Sequence, residues 1–155
     1  MARFVFQLDG VLHHRERIEK DRQRELAVVH AVLVGLQAEL RGLNEEIAQS
    51  GAQVQSRLVG RLDMYYLAAH RRYMLGMQRK LAAQAEKIAG QQKLVDEARR
   101  MLAEASKQKK ILEKLRERHQ QRWAAAEALR EAGALDELAT QMSYYSLAEL
   151  SEGNP

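Results

Sequence analysis

Leu26, Val29, Leu33, Leu36, Leu40, Leu43 and Ile47 recur at alternating steps of three and four residues. That spacing lays one apolar seam along a helix of about six turns, and it is the period of a coiled coil. A lone helix of this kind would leave a row of leucines in water, so it needs a partner. A second pattern supplies one, starting at Leu62 and running through Tyr66, Ala69, Tyr73, Met77, Leu81, Gln84, Ile88, Gln91 and Val95 to Leu115. Two successive steps of four at Tyr73, Met77 and Leu81 break the alternation and predict a local unwinding of the supercoil. Ser50-Gly51 and Gly60 place the turn between the two patterns. Trp123, Ala126 and Leu129 carry the second helix to a stop at Gly133, after which Leu135, Leu138 and Met142 predict a last short helix. The expected fold is all-α: a long antiparallel two-helix coiled coil, or α-helical hairpin, with a longer second helix and a short C-terminal helix. Its expected bounds are helix 1 over about 8–49, a turn over 50–61, helix 2 over 62–132, and a short helix and tail over 134–155. Together they form a single unit, 1–155.

The ends depart from this regular pattern. Phe4, Phe6 and Leu8 alternate with Val5 and Gln7, which predicts a short extended lead into the first helix, with Asp9 as a candidate N-cap. From His13 to Glu25 Ile18 is the only aliphatic residue, and extrapolating the seam backwards puts Arg22, Glu19 and Arg15 where leucines belong. This segment is therefore not expected to pack tightly in the same register. A solvated helix with weak ion pairs and a helix end kept charged for docking both fit it. Pairing the two arms from the turn leaves a C-terminal overhang from near residue 105. The overhang is basic first, with seven Lys or Arg between Lys107 and Arg122 against Glu113 and Glu117, and acidic from Ala124 onwards.

Composition agrees with thin helical packing. Proline occurs once, at Pro155, while 30% of residues are charged and 5% aromatic, which suits a seam better than a thick globular core. The absence of cysteine excludes disulfides, thiolate nucleophiles and Cys-ligated zinc, and allows a reducing compartment. Gln7, Asp9 and Gly10 interrupt the N-terminal apolar residues before a signal-peptide core forms, and no stretch approaches a membrane span, so a soluble protein is expected. The five histidines lack metal-site spacing, and the nine glycines are scattered with no phosphate-loop arrangement. A two-stranded coiled coil also lacks a water-excluding pocket in which carboxylates become an acid and a base. No enzyme activity, cofactor or metal is expected. The net charge of +4 is modest, and the basic segment has neither stacking aromatics nor a DNA-reading layout, so nucleic acid is not an expected partner. The cluster Tyr65, Tyr66, His70, Arg71, Arg72, Tyr73, Met74 and Met77 either fills the seam beside the turn or forms a protein-binding surface.

Taken together, three stretches resemble the FliJ family of flagellar type III export proteins. They are the opening Phe4-Val5-Phe6-Gln7-Leu8 with Val11, Leu12 and Arg15, the aromatic start of helix 2 through Tyr66, Tyr73 and Met77, and Glu113-Lys114-Leu115-Arg116-Glu117-Arg118-His119. An acidic close containing Leu135-Asp136-Glu137 fits as well. The resemblance implies a stalk-like coiled coil, similar to the central stalk of rotary ATP synthases, that helps export flagellar proteins. The end bearing both termini would enter the ring of the export ATPase FliI through Phe4, Leu8, Val11, Leu12, Arg15, Lys114, Arg116 and Arg118. Tyr66, Tyr73, Met77 and Gln84 would bind the cytosolic part of the export gate FlhA, with Lys80 departing from the small residue associated with its position. Export chaperones are further implied partners. The implied protein is a cytoplasmic monomer, peripherally associated with the inner-membrane gate and not inserted in the membrane. The alternatives are a generic structural or oligomeric coiled-coil tether and the equivalent stalk of a virulence type III injectisome.

Overall fold

A computed structural model describes residues 3–60 and 63–152, with side chains described up to residue 145. It contains two helices, α1 (Asp9–Arg57) and α2 (Met64–Glu152), and no strand among the described residues. Contacts divide the chain into two compact units, one of residues 16–107 and one combining residues 1–15 with 108–155.

The 16–107 unit is an antiparallel helical hairpin. Its α1 seam is Leu26, Val29, Leu33, Leu36, Leu40, Leu43 and Ile47, all buried or half-buried, while their neighbours on the outer faces are exposed. Met77 and Val95 on α2 are the most deeply enclosed side chains in this unit, 1% and 0% exposed. Three of the seam's polar residues bond across it. Gln84 Nε2 donates to the Leu36 carbonyl at 3.0 Å and to Glu39 at 2.8 Å, Gln91 Nε2 donates to the Val29 carbonyl at 2.8 Å, and the Ser106 hydroxyl donates to Glu19 at 2.6 Å. Each pair steps down α1 as it steps up α2, which defines the antiparallel register. Directional bonds inside an apolar seam penalise any slip that would strand a buried amide.

Several boundaries differ from those the sequence predicts, each for a packing reason. Gly51 does not end α1, because Ser50 and Val54 carry the seam one layer further, and the helix continues to Arg57. A helical glycine costs about 1 kcal/mol, less than an abandoned layer. The reversal comes at Gly60, whose φ of +136° lies where a side chain is strained. Asp63 then caps α2: its carboxylate accepts from the Tyr65 and Tyr66 backbone N–H groups at 3.0 and 3.3 Å. Leu62, the predicted start of helix 2, lies outside the described residues. After the turn the seam runs through His70 and Met74 rather than Ala69 and Tyr73. His70, Met74, Met77, Leu81 and Gln84 keep the regular four-three alternation, so the predicted pair of four-residue steps is absent and Tyr73 sits beside the seam, 39% exposed.

The charged segment stays in register as well. Glu19 and Arg22 are half-buried at seam positions, and the small Ala105 and Ser106 on α2 leave room for Glu19 to be bonded rather than stranded. By length and composition α1 also contains an 18-residue window apolar enough to cross a membrane, with mean hydropathy 1.4, contrary to the expectation of no such stretch.

In the other unit, the lead and first turns of α1 pack on α2. Asp9 is the first helical residue rather than the cap, since the Leu8 carbonyl accepts the Leu12 N–H at 3.0 Å. Leu12 is 2% exposed, and Arg15 is half-buried. Gly133 does not stop α2, and no separate C-terminal helix forms; α2 runs on to Glu152, and residues 153–155 of the predicted tail lie outside the described residues. Pairing reaches Trp123, so the unpaired stretch begins beyond Glu127 rather than near residue 105, and residues 128–145 are all exposed.

Candidate interaction surfaces

The first surface grows from the N-terminal lead. In an extended segment alternate side chains share a face, so Phe4 and Phe6 turn to α2 while Val5 is 75% exposed. Phe4 meets Trp123 with ring centroids 6.0 Å apart at 54°, and Phe6, 6% exposed, meets His119 edge-on at 5.9 Å and 86°. Tilted and edge-on pairs set the positive ring edge on the negative face. Asp9 adds an ion pair to Arg116 at 3.7 Å, with both side chains 49% exposed. This solvent-screened contact orients the helices more than it stabilises them. An open groove of ≈ 460 Å³ lies here, lined by Arg3, Phe4, Val5, His119, Arg122 and Trp123.

The aromatic lead thus fastens the N-terminal segment to α2, and the surface it leaves is cationic. Lys114, Arg116 and Arg118 are exposed, Leu8 and Val11 are 38% and 44% exposed, and Phe4 and Arg15 are half-buried. Leu12 belongs to the core, so no partner reaches it without parting the helices. Trp123 and Arg122 complete the surface; Arg122 closes the basic segment seen in the sequence, whereas no sequence signal paired Trp123 with the lead.

The second surface lies beside the turn. Tyr73 donates its hydroxyl to Glu46 at 2.6 Å, and that carboxylate, with some desolvation, holds the phenol above the usual tyrosine pKa. His70 sits 6.4 Å from the Tyr73 ring and within 3.4 Å of the Ser50 hydroxyl, and the Arg57 guanidinium lies 4.9 Å over the Tyr66 ring. A groove of ≈ 390 Å³ runs between Glu46, Ser50, Tyr66, His70 and Tyr73. The structure separates the four residues assigned to this site. Tyr73 is exposed and Tyr66 half-buried, but Met77 and Gln84 are 1% and 6% exposed inside the helix pair. They can support this face, but a partner docking on it touches Tyr73 and Lys80 instead. Glu46, which fixes the Tyr73 ring, gave no signal in the sequence.

Neither surface is an enclosed pocket, and among the described residues no group of three or more His, Cys, Asp or Glu is placed to hold a metal ion. What the fold defines is an all-α protein of two long helices packed against each other. Residues 4–146 match the family model described as Flagellar FliJ protein, and the chain belongs to that family. It is accordingly a component of the flagellar type III protein export system. No curated protein and no solved structure matches the chain.

Proposed function

We propose that this chain is the stalk-like subunit of the export apparatus, binding the ring of the export ATPase through the unit built from its two terminal segments. The observation that carries this reading is the aromatic fastening of Phe4 and Phe6 onto Trp123 and His119. It holds the N-terminal lead against a basic stretch of α2 on which Lys114 and Arg118 are exposed on one face and Arg116 on the other side beside Asp9. Such a surface steers toward an acidic opening and docks without an active site. No catalytic step is assigned to the chain, which assists its partner's hydrolysis by promoting ring assembly. The Tyr73 face, presenting Tyr73 and Lys80, engages the cytosolic domain of the export gate, and export chaperones use the same protein. The chain works in the cytoplasm at the membrane-bound gate.

Reversing Arg116 and Arg118 to Glu tests the first contact. Binding to the export ATPase should weaken by tenfold or more, with helix content unchanged, because both side chains are exposed. Unchanged affinity would remove the cationic surface from the ATPase contact.

A further inference from the structure

Two cavities beside the turn share one wall, the Tyr66 ring. One is the groove of ≈ 390 Å³ that contains Glu46 and Tyr73, and the other is a pocket of ≈ 200 Å³ lined by Val54, Leu58 and Leu67 with Arg57 and Asp63. Their chemistry differs. In the groove Glu46 is held in place by the Tyr73 hydroxyl, which donates to its Oε1 at 2.6 Å, while its Oε2 accepts no hydrogen bond among the described residues. No Lys or Arg among the described residues lines this groove. The rings of Tyr66, His70 and Tyr73 line it beside the carboxylate, and a cation placed there gains from the carboxylate and from the ring faces together. At the pocket the Arg57 guanidinium already makes such a contact, 4.9 Å from the centre of the Tyr66 ring. The pocket itself is walled by aliphatic groups, and Leu58 stays 45% exposed, an apolar wall open to a partner. Across both cavities Glu46 and Asp63 outnumber Arg57, so with His70 neutral the face is acidic.

These features select the occupant by its chemistry. Both cavities are open, whereas a site for a free small molecule encloses most of its ligand. A docking helix needs a continuous apolar floor, and the groove floor is polar: the Ser50 hydroxyl and His70 lie 3.4 Å apart, and Gln49 and Gln53 line the same groove. The side-chain amides of both glutamines have no hydrogen-bond partner among the described residues. An extended segment carries backbone N–H and C=O groups that such amides satisfy. A second copy of this turn would bring Glu46 and Asp63 against the same two acids, so like charges disfavour it. Lys80 stands seven residues past Tyr73, away from the turn, and lines neither cavity. From the level of Tyr66 and Tyr73 to that of Asp63 and Leu67 is about 7 Å of helix rise. Two residues of extended chain also span about 7 Å, and their side chains share one face.

Resting on the reading of the Tyr73 face as the gate contact, we infer that this face takes an extended segment of its partner carrying a Lys or Arg two residues from an aliphatic side chain. The cation enters the groove at Glu46, and the aliphatic group enters the pocket at Leu58. The test pans the immobilised full chain against a displayed library of random eight-residue peptides. The strongest peptide is then made synthetically and titrated by fluorescence anisotropy against the unaltered chain and its variants, with far-ultraviolet circular dichroism on each. The expected result is enrichment of sequences with a Lys or Arg two positions from Leu, Ile, Val or Met. E46K should weaken binding of the selected peptide by tenfold or more, and L58E by a similar factor, with helix content unchanged because both side chains are exposed. No enrichment, or enrichment of acidic sequences, would overturn the proposal. So would a selected peptide that binds E46K or L58E like the unaltered chain. The cytosolic domain of the export gate is titrated in parallel. A chain that selects the expected peptides and loses them in E46K, yet does not bind that domain, would uphold the recognised segment and remove only the gate as its source.

Discussion

The two units hold their helices together by different means. Residues 16–107 pair through a repeating seam in which Leu33, Met77 and Val95 are buried and Gln84 and Gln91 hook onto the carbonyls of α1. The unit of residues 1–15 and 108–155 has few apolar layers: Leu12 and Phe6 are buried, and rings on an extended lead replace further leucines. Many equivalent layers fix register, because a slip misplaces every one of them at once. A few large aromatics fix one segment in one place and leave the surrounding surface free to carry charge. The first design suits a scaffold and the second a contact surface.

The sharpest way to break this comparison is to place a charge at the layer with no access to water. Val95→Asp buries an unpaired carboxylate at a position 0% exposed, and the expected loss of stability is about 3 kcal/mol or more, read as a large fall in the thermal midpoint. Phe6→Ala should act more locally. Truncating a buried aromatic costs about 3 kcal/mol, but here the loss should appear as faster amide exchange in residues 108–123 with little change across residues 26–47. Uniform loss of protection in both stretches would mean that the two units unfold as one.

The smallest effect concerns Tyr73. Its pKa is raised first by the hydrogen bond that the Glu46 carboxylate accepts, then by desolvation, and last by repulsion from the Glu46 charge. A raised folded pKa favours the protonated phenol, so this contact is fully present below the ordinary tyrosine pKa and is lost as pH rises through the higher folded value. Phenolate absorbance should show one tyrosine titrating late in the unaltered protein, and Glu46→Gln should bring it back toward the others. Tyr73→Phe identifies that component by removing it.

How far the sequence was legible follows the same division. The seam from Leu26 to Ile47 could be read from spacing alone because every layer repeats the same signal. The turn could not, since Ser50-Gly51 has the composition of a loop while Ser50 and Val54 still face the partner helix, and tertiary packing overrides local propensity there. The shift from Tyr73 to Met74 was hidden because both fit a loose helical period, and only the layers toward Met77 and Leu81 separate them. Glu19 and Arg22 were read as breaking the seam, because polar residues are legible as packed only when their partners, such as Ser106, are known. The Phe4 and Phe6 lead was visible as alternation, but what it clasps was not, since Trp123 lies far away in sequence.

The hydrolysis rate and ring assembly of the export ATPase from the same organism, with and without this chain, test the central claim most directly. The account predicts stimulation that is lost when Phe4 and Phe6 are replaced by alanine together and sharply reduced by R116E/R118E. A fully helical protein that gives no binding and no stimulation would contradict it. So would stimulation that survives both changes.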